Sequence, residues 1–121
     1  MLCSIARASL LAFVLTTSAA NLAAAHTVYD GQWSLTIMTE RGACDSAYHF
    51  TVDINNGNVS HPNLVRLRGH VAKGGSVRVT VAAAGKSAAG SGRLTRNSGQ
   101  GRWTGHSGSD RCSGSWSAKK H

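Results

Sequence analysis

The feature that most constrains this chain is an alternation of apolar and polar residues with a period of two, which recurs from about residue 31 to residue 118. Clusters of Gly, Asn and Ser interrupt the alternation about every seven to twelve residues, and no stretch follows a helical period of about 3.6. An alternation of this kind is typical of short β-strands with one buried face. The sequence therefore predicts an all-β domain.

The predicted strands follow one another with short connections. Asn56-Gly57 supplies the positive backbone angles of a tight hairpin turn, and Pro62 marks a break because proline has no backbone N–H to donate. The strands lie at about residues 31–38, 47–54, 58–61, 65–71, 77–81, 88–94, 101–106 and 112–118.

About eight consecutive antiparallel strands form an up-and-down meander in the simplest topology. Such a meander hides its two edges best by closing into a small barrel or a nearly closed one. Residues on the inward parity of the strands then form the core, and we expect the three tryptophans to share one buried cluster. The expected core aromatics are Trp33, Tyr48, Phe50, Trp103 and Trp116.

The first 25 residues have the pattern of a secretory signal peptide. Arg7 precedes an apolar run at residues 8–15, and small residues lead to Ala23-Ala24-Ala25 as the predicted cleavage site. The apolar run is much shorter than the roughly 20 residues of a membrane-spanning helix. We therefore expect a secreted or periplasmic protein with a single domain at residues 26–121, monomeric and without a transmembrane segment.

Cleavage would remove Cys3 and leave two cysteines, Cys44 and Cys112. A pair of this kind in an oxidising compartment most often forms a structural disulfide. A redox or metal pair usually has close Cys-x-x-Cys spacing, which these residues lack. Counting the strands up and down places both cysteines at the same end of the barrel, so the sequence predicts one disulfide between them.

The chain is strongly basic, with 13 Lys and Arg residues against 5 Asp and Glu and a net charge of +8. Four arginines fall on the outward parity of their strands, and they have two interpretations. They could protect strand edges and maintain solubility. Alternatively, they could bind lipopolysaccharide, acidic polysaccharide or nucleic acid, although inward tryptophans offer no platform for stacked bases. The candidate anion-binding residues are Arg66, Arg68, Arg78 and Arg102.

Several short motifs resemble a family of small secreted proteins of rhizobial alphaproteobacteria, often labelled as exoproteins of haem utilisation or adhesion. The resemblance covers about residues 29–118 and consists of turn glycines, core aromatics and cysteines. It implies a common scaffold and brings haem and adhesion into consideration, but it assigns no functional residue. The motifs are Tyr29-Asp30-Gly31-Gln32-Trp33-Ser34, Gly42-Ala43-Cys44-Asp45 with Tyr48, Asn56-Gly57, Gly90-Ser91-Gly92-Arg93-Leu94, Gly99-Gln100-Gly101-Arg102-Trp103-Thr104-Gly105 and Cys112-Ser113-Gly114-Ser115-Trp116.

Haem would need an axial ligand facing a cleft of cofactor size. His49, His70 and His106 fall on the outward parity, so only His61 could face the mouth of the barrel. Cleavage after Ala25 would also expose His26, whose amine and imidazole could chelate copper together with a second histidine. We expect solvated histidines and no cofactor, with haem as the alternative.

No catalytic motif accompanies these features. The spacing Gly-x-Ser-x-Gly does not occur, and the acidic residues lie mostly near strand ends, where Asp commonly caps turns. We therefore expect no enzyme. The leading hypothesis is an exported binding or structural module that acts through its basic surface, and the alternative is a haem or small-ligand carrier that uses the barrel mouth.

Overall fold

A computed structural model describes Ala12, residues 26–64 and residues 66–121. The predicted signal peptide lies outside the described residues, apart from Ala12. Eight strands and their connections make up the domain: β1 (Gly31–Arg41), β2 (Ala47–Asn55), β3 (Asn58–Ser60), β4 (Arg68–Val71), β5 (Ser76–Ala83), β6 (Lys86–Leu94), β7 (Ser98–Ser107) and β8 (Asp110–Lys120). Among the described residues, no helix has the length and apolar character needed to cross a membrane.

The strands form one closed barrel in which each strand pairs antiparallel with its neighbour in sequence. Closure comes from β8, which returns beside β1 and pairs with it from Trp33 opposite Lys120 to Arg41 opposite Ser113. The predicted all-β meander, its eight strands and its closure are thus confirmed.

The alternation of the sequence becomes the inner and outer face of the barrel. Trp33 lies opposite Val52, and both are buried, while their neighbours Ser34 and Thr51 are exposed. The hairpin between β2 and β3 has φ angles of 54° at Asn56 and 79° at Gly57, which are the angles of the predicted tight turn. Successive cross-strand rows therefore face the core and solvent in turn.

The buried core lies at one end of the barrel, which we call the core end. This end carries the turns at residues 56–57, 72–75 and 95–97. Tyr29 precedes β1 and closes this end, and its carbonyl oxygen accepts a hydrogen bond of 2.8 Å from Trp33 Nε1. The core consists of Tyr29, Trp33, Val52, Ile54, Val59, Val71, Val77, Leu94 and Ala118.

Three of the expected core aromatics differ from the prediction. Phe50 is wrong as a core residue because it is 36% exposed. The reason is that β3 pairs only with Asp53, Ile54 and Asn55, so no strand continues beside Phe50. Tyr48 is half-buried and stacks on Phe50 with ring centroids 6.2 Å apart. Trp116 is also half-buried and packs against the core.

The expected single tryptophan cluster is only partly present. Trp33 lies in the core, and Trp116 packs against it over a surface of glycines, where a Cβ at Gly101 would lie 2.6 Å from the Trp116 ring. Trp103 is buried but is not a member of that cluster, and its Nε1 donates to the carbonyl oxygen of Met38 at 3.0 Å.

The fourth strand is shorter than its sequence pattern predicts. Strand β4 begins at Arg68, and the residues before it form two successive turns, in which Leu64 N–H donates to His61 O and Leu67 N–H donates to Leu64 O. Leu67 packs against the core from this segment. The predicted strand residue Val65 lies outside the described residues.

The opposite end of the barrel, which we call the disulfide end, carries the connections at residues 42–46, 61–67, 84–85 and 108–109. Cys44 and Cys112 are bonded there, with their Cα atoms 6.1 Å apart. Gly42 has a φ of 96°, and a side chain at this position would overlap the carbonyl oxygen of Arg111. The predicted disulfide thus holds the first long connection against the start of β8.

Candidate functional site

Positive charge is concentrated on one side of the barrel. No Asp or Glu occurs between Asp53 and Asp110, whereas eight Lys or Arg residues do. All eight lie within residues 66–107, which comprise β4 to β7 with their turns and the end of the connection before β4. We call the surface formed by residues 66–107 the cationic wall. The acidic residues lie on the remaining strands and connections.

Asp30 is the first of two acidic residues that are engaged in hydrogen bonds. Asp30 accepts hydrogen bonds from the Thr27 hydroxyl at 2.6 Å and from the amides of Asn56 and Gly57 at 2.9 and 3.1 Å. Burial raises the pKa of the Asp30 carboxyl, but these hydrogen bonds lower it by more, and the pKa lies well below the ordinary value. Asp30 is therefore a structural carboxylate at the core end.

Glu40 is paired with one of the four predicted anion-binding arginines. Arg102 donates to Glu40 Oε2 at 2.8 Å across exposed surface. The hydrogen bond and the positive charge of Arg102 lower the pKa of Glu40. Arg102 therefore carries a compensated charge and is the weakest of the four candidates.

Two other candidates lie side by side on the outside of the wall. Arg68 faces Thr80 across β4 and β5, and Arg78 lies two positions from Thr80 on the same face. Such diagonal positions are roughly 7 to 8 Å apart. Both side chains are exposed, and neither makes an ion pair with a described acidic residue. The pair leaves uncompensated charge near the middle of the wall.

The fourth candidate, Arg66, lies at a recess near the disulfide end. This recess is open to solvent and has a volume of about 790 Å³. Its lining comes from three adjacent cross-strand rows of β5 to β8, with Arg66 from the connection before β4 and Arg41 from the end of β1. Arg111 joins them from β8. We call it the arginine recess, after Arg41, Arg66 and Arg111.

The rest of this lining is small and hydroxylated. No carboxylate is among the described lining residues, and His106 Nε2 is engaged with Ser87 Oγ at 2.8 Å. The disulfide residue Cys112 also contributes to the lining. The hydroxyl groups belong to Thr80, Ser87, Thr104 and Ser113, and the small residues are Ala82, Ala88, Ala89 and Gly105.

A second, smaller recess of about 550 Å³ lies beside Trp116 and Met38. It contains two arginines, but the guanidinium groups of both already donate hydrogen bonds within the protein. Arg93 donates to the carbonyl oxygen of Gly74 at 3.0 Å, and Arg102 is paired with Glu40. The second recess therefore offers less free charge than the arginine recess.

The histidine candidates are not brought together. His61 is half-buried and lines neither recess, and its Nδ1 accepts a hydrogen bond of 3.1 Å from the amide of Asn63. His26 is 82% exposed, and its Nδ1 lies 3.4 Å from Asp30 Oδ2. The described residues contain no group of three or more His, Cys, Asp or Glu arranged to hold a metal. Haem and copper binding stay predictions without a site in the described part of the chain.

Sequence reasoning missed Arg41 and Arg111 as members of the recess. Each lies near a cysteine of the disulfide, since Arg41 is three residues before Cys44 and Arg111 directly precedes Cys112. Because the bonded cysteines were predicted to meet, the same argument could have brought their basic neighbours together.

The exposed aromatic pair was also missed. Tyr48 and Phe50 share the inward parity of β2, but the short third strand leaves them at the surface of the disulfide end.

No family model, curated protein or solved structure matches this chain.

Proposed function

We propose that this protein is an exported β-barrel binding module whose cationic wall associates with anionic polymers of the cell envelope or its surroundings. The observation that carries the proposal is the segregation of charge, in which residues 66–107 hold eight basic residues and no acidic one. A surface with one sign of charge attracts polyanions and raises the rate at which they associate.

Solubility alone is a weaker explanation for this distribution. A soluble surface usually mixes charged residues of both signs, and large fields of one sign are typical of surfaces that attract charged partners. Here the acidic residues are confined to the rest of the barrel, and Arg68 and Arg78 lie on neighbouring strands without an acidic partner among the described residues. Repulsion between these side chains is tolerated in the free protein and relieved when an anionic polymer binds.

Export is part of the proposal and is supported by two features. The first 25 residues have the charge and apolar pattern of a signal peptide. The bond between Cys44 and Cys112 is of the kind that persists in oxidising compartments outside the cytoplasm. Both features favour an envelope or external location, where lipopolysaccharide and acidic polysaccharides are abundant.

A binding function is favoured over catalysis because the groups in the arginine recess are suited to holding an anion and not to transferring a proton. Asp30 and Glu40 are committed to hydrogen bonds, and the arginine recess carries guanidinium and hydroxyl groups without a carboxylate base among its described lining residues. Guanidinium groups hold anions well but do not titrate at neutral pH.

The test is retention on an immobilised polyanion such as heparin, or on lipopolysaccharide, as the salt concentration rises. Arg78→Glu reverses a charge on the wall, and Lys119→Glu makes the same change on β8, outside it. We expect Arg78→Glu to elute at clearly lower salt and Lys119→Glu to elute close to the unchanged protein. Equal shifts for both variants would show that net charge alone matters, and absence of retention at low salt would refute the proposal.

A further inference from the structure

We propose that the arginine recess is a binding site for a phosphorylated sugar, which would be the unit of the anionic polymer that the protein recognises. This inference rests on the proposed function and assigns that function a place on the surface and a ligand chemistry. Its observations are the three converging arginines, the absence of carboxylate from the described lining, and the hydroxylated rows between the arginines.

The arginines reach the recess from three separate parts of the chain. Arg41 ends β1, Arg66 precedes β4, and Arg111 is the second residue of β8. Arg41 lies opposite Ser113 in the pairing of β1 with β8, and Arg111 lies opposite His106 in the pairing of β7 with β8. The disulfide at Cys112 ties the connection after β1 to the same place. Two of the three guanidinium groups are therefore carried by backbone whose position is held by strand pairing and a covalent bond.

The charge of the recess selects the anionic group. Arg41, Arg66 and Arg111 make no ion pair with a described acidic residue, so the recess presents three guanidinium groups, of which Arg41 also acts on the charge of the neighbouring Glu40. A carboxylate supplies one negative charge, whereas a phosphate monoester supplies about −1.5 to −2 at pH 7 and three acceptor oxygens. Guanidinium groups also form paired hydrogen bonds to phosphate oxygens. A phosphate monoester therefore matches this recess better than a single carboxylate does.

The remainder of the lining fits a hydroxylated ring. Four of the lining residues carry hydroxyl groups, each able to donate and to accept, on the two outward-facing rows: Thr80, Thr104 and Ser113 on one and Ser87 on the other. The volume of about 790 Å³ falls within the range of roughly 300 to 1,000 Å³ that is usual for small-molecule sites. Sugar hydroxyls require this mixture of donors and acceptors.

Nucleic acid is a poorer match for the same recess. Single strands are held chiefly by bases stacked on aromatic rings along a basic groove. No aromatic ring of Phe, Tyr or Trp lines the arginine recess among the described residues, and the exposed pair Tyr48 and Phe50 is not part of its lining. A phosphate on a sugar uses the guanidinium and hydroxyl groups that are present.

The experiment is an NMR titration of residues 26–121 with glucose 1-phosphate, with glucose, glucuronate and inorganic phosphate as parallel probes. We expect saturable shifts at the amides of the recess with glucose 1-phosphate, at least tenfold weaker binding of glucuronate and inorganic phosphate, and no shifts with glucose. Arg66→Gln and Arg111→Gln should each weaken binding at least fivefold, while Lys119→Gln leaves it unchanged. Equal affinity for glucuronate, or unchanged affinity in both recess variants, would overturn the proposal.

Two further arms identify the source of the ligand and separate this inference from the proposed function. Binding to intact lipopolysaccharide that is lost on enzymatic dephosphorylation assigns the site to an envelope glycolipid, whereas binding of glucose 1-phosphate alone assigns it to a free solute. Retention on heparin without any saturable sugar-phosphate binding would overturn the recess and leave the proposed function intact. Binding of a single-stranded oligonucleotide that Arg66→Gln abolishes, without sugar-phosphate binding, would also overturn it.

Discussion

Trp33 donates its indole N–H to the carbonyl oxygen of Tyr29, so the segment before the first strand is bonded to the most deeply buried side chain of the barrel. Tyr29 in turn donates its hydroxyl to the carbonyl oxygen of Lys73 across the core end. Through these two contacts, residues 26–30 close one end of the barrel, and the arginine recess lies near the opposite end.

We expect the free energy of unfolding to fall by clearly different amounts when two aromatic residues of the inward parity are replaced by alanine. Trp33 is 1% exposed and Phe50 is 36% exposed. Trp33→Ala should lower the free energy of unfolding by about 3 to 5 kcal/mol, because it empties a packed site. Phe50→Ala should cost less than half as much. Denaturant unfolding of both variants measures the difference, and equal losses would contradict the placement of Phe50 at the surface.

The glycines beneath Trp116 predict a position-dependent effect of one methyl group. A Cβ at Gly101 would overlap the carbonyl oxygen of Ser91 and lie 2.6 Å from the Trp116 ring, whereas a Cβ at Gly74 would meet nothing within 4 Å. Gly101→Ala should therefore destabilise the protein by about 1 to 3 kcal/mol through overpacking. Gly74→Ala is the matched control and should change the melting temperature little. A tolerated Gly101→Ala would contradict the close approach of Ser91 and Trp116 to this glycine.

Asp30 predicts a pH dependence of stability. Its folded-state pKa lies below the value in the unfolded chain, so its contribution is fully present above the unfolded pKa of about 3.9. That contribution is lost as the pH falls below this value toward the folded pKa. We expect Asp30→Asn to be less stable at pH 7, by about 1 to 3 kcal/mol for hydrogen bonds to a charged group, and to show a flatter loss of stability between pH 5 and pH 2. Thermal unfolding at several pH values measures this, and parallel curves for the two proteins would contradict the role of Asp30.

We expect removal of the disulfide to lower both the stability of the protein and its binding of ligand. Removing it with Cys44→Ser and Cys112→Ser should cost about 2 to 5 kcal/mol in a domain of this size. Because Cys112 lines the arginine recess, the same change should weaken binding of glucose 1-phosphate under conditions where the variant is still folded. Titration of free thiols in the denatured, unreduced protein provides the check, and two reactive thiols would rule out the bond.

The strand pattern of the sequence was sufficient for most of the fold. Alternation placed the buried residues near the core end, such as Trp33, Val52 and Val77, and the number of strands between Cys44 and Cys112 brought the cysteines to one end. The pattern did not reveal that the strand expected from residue 65 begins only at Arg68, because alternation continues through the turns before it. The exposure of Phe50 follows from the short β3, which pairs only with residues 53–55 of β2, and was missed as well.

The candidate site was less accessible to sequence reasoning. Arg68 and Arg78 could be placed outward by parity, and both are exposed on their strands; Arg66 is exposed as well, but it lies in a turn before β4 and not on a strand. The recess, however, depends on the convergence of Arg41, Arg66 and Arg111, which are far apart in sequence and lie in or beside connections. Parity says nothing about side chains at strand ends. The pairing of Arg102 with Glu40 across 62 positions was hidden for the same reason.

The most direct test of the central claim is the salt dependence of binding to an immobilised polyanion, measured for the unchanged protein and for Arg66→Glu combined with Arg68→Glu. If the cationic wall binds anionic polymers, the logarithm of the affinity falls linearly with the logarithm of the salt concentration, with a slope set by the number of charges neutralised. We expect earlier elution and a shallower slope for the double variant. The same elution and slope for both proteins, or passage of the unchanged protein without retention at low salt, would contradict it.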